Sequence, residues 1–386
     1  MIDINYLREN PEEVKKAVKE KQFDPGLVDV VLEYDKEWRK TLQAVEKLRA
    51  EKNALSKDPS PEKIKKAKKV KEDLKNIEED LKEITKKYET ALKAIPNPAA
   101  SDVPVGKSEE ENKVEKKWGD IPEFEFKARD HLELGEMLNI IDVERAAKVS
   151  GARFAYLKNE AVQLEFALIN FAMEALVGEG FTPIIPPALI RKESMRGMGY
   201  LEHGGEADMF TLKEDGLVLV GTSEQSIGPM HMDETFEKKD LPKRYVGFSP
   251  CFRKEAGSYG KDTRGILRVH QFDKVEMFSY VLPEKGDEEH KYLLELQEKL
   301  FQALEIPYTV TKMVTGDLGA PAARKYDINA WIPSQGKYRE VTSTSTTTDF
   351  QARRLNIKYK IGDQMDFVHM LNGTAFAIGR TLIAIL

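Results

Sequence analysis

Between residues 27 and 95 the apolar side chains recur in alternating steps of four and three, interrupted once. That spacing restricts this stretch to two long helices packed along a single seam. The first run is Leu27, Val31, Tyr34, Trp38, Thr41, Val45, Leu48, Lys52 and Leu55, with only Thr41 and Lys52 polar. The second is Val70, Leu74, Ile77, Leu81, Ile84, Tyr88, Ala91 and Ile95, and Ile95-Pro96-Asn97-Pro98 ends it. Between them, Ser56-Lys57-Asp58-Pro59-Ser60-Pro61 reads as a tight polar turn, with Ser60 as N-cap and Pro61 as the first helical residue. Two helices of about 30 residues joined so closely fold back antiparallel, into a rod of about 45 Å at ~1.5 Å per residue. A two-helix rod buries one seam and solvates the rest. This accounts for a charged fraction of 33% beside a hydrophobic fraction of only 41%.

The rest of the chain reads differently. Residues 1–24 form a short helix entered through Asn10-Pro11-Glu12-Glu13, with Asn10 as N-cap and Pro11 in the first turn, and Asp24-Pro25-Gly26 breaks it. Residues 99–130, charged and poor in aliphatics, read as a linker ending near Trp118-Gly119, with the globular body beginning around His131. The domain expectation is 1–115 for the arm-bearing unit and 116–386 for the body. Within the body, residues 159–177 carry the helical face Leu164, Ala167, Leu168, Phe171, Ala172 and Ala175. An extended segment follows at 181–187, and strands are expected at 217–220, 244–248, 275–281, 308–314 and 328–332. Helices intervene only at 288–304 and near the C-terminus. Strands without regular crossover helices predict an α+β fold with a mostly antiparallel sheet.

The charge balance, 60 Lys+Arg against 66 Asp+Glu, gives −6, so any nucleic-acid contact has to come from a local patch. The densest is Lys63, Lys65, Lys66, Lys68, Lys69 and Lys71, at the rod's far end. A single cysteine, Cys251, excludes an internal disulfide framework and a multi-cysteine zinc site, so no zinc is expected. No signal peptide and no apolar run near the roughly 18 residues of a membrane span are evident, which predicts a cytoplasmic protein without a membrane partner. The chain stops on Ile383-Ala384-Ile385-Leu386, an apolar run without cap or polar turn, and is read as shortened at that end.

Four stretches carry chemistry. Phe252-Arg253-Lys254-Glu255-Ala256-Gly257-Ser258, Thr263-Arg264-Gly265 and 268–276 form a hairpin with cations on both arms; Arg253 and Arg268 offer bidentate forks for phosphate and Phe272 a flat face for a base. No Gly-x-x-x-x-Gly-Lys loop exists, so a nucleotide would bind without one. A charged surface hairpin would look the same. Gly221-Thr222-Ser223-Glu224 follows an apolar strand and, with Glu276, could hold an ammonium and a hydroxyl; a helix N-cap fits it equally. Arg339-Glu340-Val341-Thr342-Ser343 places two oxygen donors of the kind Mg²⁺ prefers three residues apart, although the Thr/Ser run 342–348 also suits a polar loop. Asn372-Gly373-Thr374, leading to Gly379-Arg380, uses small residues to bring a loop or helix start near a ligand, with a buried helix and one capping Arg as the alternative.

In this order, behind a coiled-coil arm, these runs resemble the motifs of seryl-tRNA synthetases, and the similarity extends over nearly the whole chain. Residues 4–15, Val103-Pro104-Val105-Gly106, His131-Leu132-Glu133-Leu134-Gly135, 145–153 and 348–359 also follow that family's pattern. The resemblance implies a class II synthetase fold. It also implies activation of L-serine by ATP and transfer to tRNA(Ser), with tRNA(Sec) a second candidate acceptor. ATP would meet Arg253, Lys254, Glu255, Arg268, Val269, Phe272, Glu340, Val341, Thr342, Ser343 and Arg380. Arg253 and Arg380 would be catalytic, Phe272 would stack on adenine, and Glu340 and Ser343 would bind Mg²⁺. Serine would meet Thr222, Ser223, Glu224, Arg253, Glu276 and Thr374, the six arm lysines would grip tRNA, and residues 164–187 would pair two copies into a homodimer.

The run 342–347 departs from the Cys- and Asn-containing version common in the family, and Thr374 stands where Ser is frequent. Three competing readings are weaker. A carrier-protein-directed paralogue would lack the long arm and use a cysteine-bearing zinc site. A non-catalytic RNA-binding paralogue would have lost Arg253, Arg268 or Arg380. A coiled-coil protein fused to a binding domain leaves the ordered motifs unexplained.

Overall fold

A computed structural model describes residues 1–57, 61–203, 205–256, 262 and 264–386, which divide into two compact units, Met1–Pro98 and Ala99–Leu386. The expected turn at 58–60 with its Ser60 cap, and Gly257, Ser258 and Thr263, lie outside the described residues.

The first unit contains helices α1 (Ile4–Glu9), α2 (Pro11–Glu20), α3 (Gly26–Ser56) and α4 (Pro61–Ala94). The one short helix expected before residue 24 is two. Asn10 makes no side-chain cap to α2; its Nδ2 donates to the Tyr6 carbonyl at 3.2 Å and closes α1 instead. Pro11 does open α2.

Helices α3 and α4 run antiparallel along the expected seam. Trp38 stacks on Tyr88 at 5.5 Å and donates to Thr85 at 3.0 Å, Arg49 pairs with Glu78 at 2.7 Å, and Lys66 pairs with Glu51 at 2.9 Å, so partners fall in number on one helix as they rise on the other. Val31, Val45, Val70, Leu74 and Ile84 are buried between them. At the root the rod becomes a small bundle. Leu7, Val14 and Val18 join Val28, Val31, Leu92 and Ile95 in one core, and buried Asp35 is held by Arg8 at 2.6 Å and Arg39 at 3.0 Å. Lys21, buried, donates to the Asn97 carbonyl at 2.8 Å where α4 gives way to extended chain. Burial alone lowers its ammonium to a pKa of about 7.

The second unit is built on an eight-stranded sheet. Its strands are β1 (Lys113–Trp118), β2 (Thr182–Ile184), β3 (Lys243–Phe252), β4 (Gln271–Val281), β5 (Tyr308–Lys312), β6 (Arg324–Ile332), β7 (Lys337–Thr346) and β8 (His369–Ala377). The spatial order is β1-β5-β6-β7-β8-β4-β3-β2, antiparallel throughout except that β2 runs parallel to β3. The α+β expectation holds, with three differences. The supposed linker supplies edge strand β1, whose Lys-Val-Glu-Lys-Lys face is exposed; a charged edge strand has no apolar alternation to reveal it. The unit starts at Ala99, ahead of the 115/116 boundary, because Ala100 donates to the Ala323 carbonyl at 2.9 Å and Val103 packs with Met313 and Leu318. The Thr/Ser run up to Thr346 and residues 372–377 are not loop but adjacent central strands, β7 and β8, while Gly379-Arg380 does fall in the first turn of a helix.

One sheet face packs against α5 (Glu160–Gly178), α6 (Gly286–Ala303) and the terminal helix α7 (Ile378–Ile385). Leu168, Ala172, Leu293, Phe301 and Leu382 meet Val275, Met277, Leu371 and Phe376 there. Because strand side chains alternate, Phe272, Lys274 and Glu276 of β4 point to the opposite, open face. Helix α5 corrects one expectation: by length and hydropathy alone it is apolar enough to cross a membrane. It contributes Ala161, Leu168, Ala172 and Leu176 to the core, yet leaves Phe166 and Val177 exposed.

Candidate active site

Strand alternation cannot put Glu340 and Ser343 on one face, since residues three apart in a regular strand point oppositely. A bulge does so. Glu340 lies opposite Asn329 and Thr342 opposite Ile328, so Val341 is an extra residue and Ser343, opposite Asp327, returns to the face of Glu340. A second bulge sits on the adjacent strand β8, where Val275 faces Phe376 but Glu276 faces Thr374 and Ala375 is the extra residue. The open face of β7, β8 and β4 forms the floor of two cavities.

The first cavity on that floor is lined by Arg253, Glu255, Arg268, Val269, Phe272, Glu340, Val341, Thr342, Ser343 and Arg380 among others. Guanidinium groups from the two arms of one hairpin, Arg253 and Arg268, and from Arg380, more than a hundred residues further on, thus share one space. The Arg253 guanidinium lies 5.3 Å from the Phe272 ring, and its Nε donates to the Gly221 carbonyl at 3.1 Å. Arg268 pairs with Glu255 at 2.8 Å. Arg380 donates to the Glu340 carbonyl at 3.0 Å and pairs with its carboxylate at 3.1 Å. Two of the three arginines are thus paired with acids that hold their forks in place. Glu255 adopts φ +53°, a left-handed backbone conformation uncommon outside glycine and frequent at binding sites.

The loop ahead of Arg268 is anchored by His131, whose Nε2 accepts the Ile266 N–H at 3.1 Å. Gly265 is required here: its φ is +74°, and a Cβ would come within 1.9 Å of the His131 ring. Burial lowers the His131 pKa, which keeps its ring neutral and able to accept.

The second cavity is lined by Tyr200, Thr222, Glu224, Gln225, Arg253, Lys274, Glu276, Ser343, Asn372 and Thr374 among others, and shares Arg253, Lys274, Ser343 and Thr374 with the first. Thr222 lies in a turn and Glu224 opens a four-residue helix, 224–227, so a turn and not strand alternation delivers the pair. Thr222 Oγ1 accepts the Glu224 N–H at 3.3 Å. The Glu224 carboxyl accepts from Tyr200 at 2.8 Å and Gln351 at 3.3 Å. Burial and the neighbouring Glu276 charge push its pKa up to about 7, against the pull of Tyr200, Lys274 and Gln351. Thr374 donates to Glu276 at 2.8 Å, and the Lys274 ammonium pairs with Glu276 at 2.7 Å.

Three expected residues point elsewhere. Ser223 lines neither cavity, and its hydroxyl lies 2.8 Å from that of Ser249. Lys254 also lines neither, its ammonium lying 5.8 Å from the Phe210 ring. Thr342 borders the first cavity, but its hydroxyl donates backward to the Thr374 carbonyl and accepts from Gln297 at 2.9 Å. Lys274, Tyr200 and Gln351 were missed. Lys274 was legible, because it falls between Phe272 and Glu276 in the alternation of β4; Tyr200 and Gln351 carry no such signal. In the first unit Lys65, Lys66, Lys68, Lys69 and Lys71 are exposed and Lys63 is partly buried, all near the start of α4.

Comparison with known proteins identifies the family. Residues 1–99 match the seryl-tRNA synthetase N-terminal domain, and residues 210–386 match the tRNA synthetase class II core domain (G, H, P, S and T). The chain is 48% identical to the serine–tRNA ligase of Acidothermus cellulolyticus and 47% identical to that of Dictyoglomus thermophilum; each alignment covers all of this chain and 93% of the relative. It resembles the crystal structure of Pyrococcus horikoshii seryl-tRNA synthetase complexed with ATP, with a TM-score of 0.93 and 41% identity over all of this chain and 94% of that one. It also resembles the Naegleria fowleri cytoplasmic enzyme in complex with AMP, with a TM-score of 0.88 and 34% identity over all of this chain and 92% of that one. With an arm and a class II core that both match and full-length relatives that are serine–tRNA ligases, the chain belongs to the seryl-tRNA synthetases, class II ligases that use ATP to join serine to tRNA.

Proposed function

We propose that the first cavity holds ATP in a bent form and the second holds serine, with Arg253 at the junction gripping both the α-phosphate and the serine carboxylate. The observation that carries this reading is the wall shared by the two cavities, Arg253, Lys274, Ser343 and Thr374. A carboxylate in the second cavity and a phosphate in the first would meet at one guanidinium.

In the first step a serine carboxylate oxygen forms a bond to the α-phosphorus, and the bond from that phosphorus to the bridging oxygen of the β-phosphate breaks, releasing pyrophosphate. The carboxylate is already a nucleophile, so no general base is needed. Catalysis then rests on positioning and on charge stabilisation by Arg253, with Arg268 and Arg380 on the outer phosphates. Phe272 stacks on adenine, Val269 and Val341 close the apolar wall, and Glu255 lies at the adenine edge. Glu340 and Ser343, brought to one face by the bulge at Val341, form a hard oxygen pair suited to Mg²⁺, which would neutralise phosphate charge when bound. In the second step the terminal ribose hydroxyl of tRNA attacks the seryl carbonyl and AMP leaves.

Thr222, Glu224, Glu276 and Thr374 form the serine pocket, Glu224 facing the ammonium. An alanine there leaves a buried acceptor unpaired, so it is rejected strongly; threonine is rejected only by shape. The lysines of α4 bind the tRNA backbone, tRNA(Ser) being the acceptor. The exposed apolar residues Phe166 and Val177 of α5 and Ile185 beyond it support pairing of two copies through this face. A cytoplasmic location fits an enzyme of translation.

The test is ATP–pyrophosphate exchange with the purified protein. Serine is expected to drive exchange, alanine to fail by several orders of magnitude, and chelation of Mg²⁺ to stop it. Exchange that is equal with serine and alanine would overturn the pocket assignment.

A further inference from the structure

Among the described residues lining the second cavity, Lys274 is an almost fully buried cation to which the expected roles give no task. It is 5% exposed on β4 between Phe272 and Glu276. Its ammonium has three N–H donors and three partners: Thr222 Oγ1 at 2.7 Å, Thr374 Oγ1 at 3.3 Å and Glu276 Oε2 at 2.7 Å. We infer that Lys274 is a positioning residue for amino-acid selection, which fixes the hydrogen-bond direction of the three side chains that meet the serine hydroxyl and ammonium. This rests on the reading of the second cavity as the serine pocket.

The argument follows each proton. Because Lys274 fills a lone pair of Thr374, that hydroxyl turns its own proton to Glu276 Oε2, at 2.8 Å. Glu276 Oε2 thus accepts twice, while Oε1 has no partner among the described residues and remains an acceptor for the serine O–H. Thr222 Oγ1 accepts from Lys274 and from the Glu224 N–H, so its proton is left to donate to an oxygen of the amino acid. Two carboxyls, Glu224 and Glu276, are both less than 5% exposed in this cavity. Lys274 is the ammonium that pairs with the Glu276 carboxylate there, at 2.7 Å. Without it, the threonine hydroxyls can rotate, and the pocket no longer demands a hydroxyl donor from its substrate.

The test compares wild type with Lys274→Met, Lys274→Arg, Thr374→Val and the double variant Lys274→Met/Thr374→Val in pyrophosphate exchange, with alanine as competitor. Lys274→Met is expected to raise the serine KM about 10- to 100-fold, the range of a lost hydrogen bond to a charged group. The ATP KM should stay within about twofold, and the serine-over-alanine ratio should fall by a similar factor. The double variant should lose little more than the worse single variant, since both act on one network. Lys274→Arg should recover part of the ratio by supplying the charge. An unchanged serine-over-alanine ratio in a Lys274→Met protein that still binds ATP overturns the proposal, as do losses that multiply in the double variant. If Lys274→Met does not fold, Lys274→Arg decides: an unaltered serine KM and ratio there together with an unaltered Thr374→Val overturns it. Glu276→Gln separates the two readings. If it leaves the serine KM unchanged, the pocket itself is misassigned; if it abolishes serine binding while Lys274→Met does nothing, only the role of Lys274 fails.

Discussion

Serine binding to this protein should release a proton near neutral pH, and Glu224 is the source. Its carboxyl is held by Tyr200 and Gln351 and lines a cavity with Glu276, Lys274 and Arg253, and burial beside Glu276 pushes its pKa up from 4.5 to about 7. A raised carboxyl pKa means that the folded protein keeps a proton which the unfolded chain has already lost between pH 4.5 and about 7. Ligand-free stability therefore falls as pH rises through that window, by up to about 3 kcal/mol at ~1.4 kcal/mol per unit. An incoming ammonium requires the ionised form. With a midpoint near 7, about a tenth of the molecules are competent at pH 6 and about nine tenths at pH 8, so the serine KM should be roughly tenfold higher at pH 6. The assay is pyrophosphate exchange at saturating ATP between pH 6 and 8, together with calorimetric titration of serine at pH 7 in two buffers of different ionisation enthalpy, which should show release of about half a proton. Glu224→Gln should bind serine weakly and with no such pH dependence. A serine KM that is flat from pH 6 to 8 in the wild type, with no proton released, would refute the reasoning by showing Glu224 ionised throughout.

Replacing Lys65, Lys66, Lys68, Lys69 and Lys71 with glutamine should weaken tRNA binding at least tenfold and flatten its dependence on salt, while exchange without tRNA is unchanged; equal loss in both assays would show damage to the fold instead. Phe272→Ala should raise the ATP KM by about 5- to 150-fold, the range of about 1–3 kcal/mol for a base stacked on an aromatic ring, with little effect on the serine KM. Phe301, fully buried in the core beneath β8, should cost about 3–5 kcal/mol of catalytic-unit stability as Phe301→Ala in urea denaturation.

The arm was legible because a two-helix seam is a local periodic problem: Val31, Val45, Leu74 and Ile84 fall where the steps of four and three place them. The central strands and the helices α5 and α6 were legible for the same reason, and residue type alone singled out Arg253, Arg268, Phe272 and Arg380, which line one cavity. What local pattern does not encode is edge and register. Strand β1 is charged along its exposed face and looks like linker, and α1 and α2 split where Asn10 serves the earlier helix.

Sequence by itself determined which chemical groups were available and which segments were helical or extended, because both depend on neighbours a few residues away. Only the tertiary structure decided which groups meet. The bulge opposite Ile328 and Asn329 puts Glu340 and Ser343 on one face, and the turn at 221–223 sends Thr222 and Glu224 inward but Ser223 toward Ser249. The pairing of β4 with β8 sets Lys274 beside Thr374, 100 residues away, and the turn at 221–223 brings Thr222, 52 residues away, to the same ammonium. A one-residue change of register would turn each of these side chains to the other face, and register is settled by contacts between strands distant in the chain.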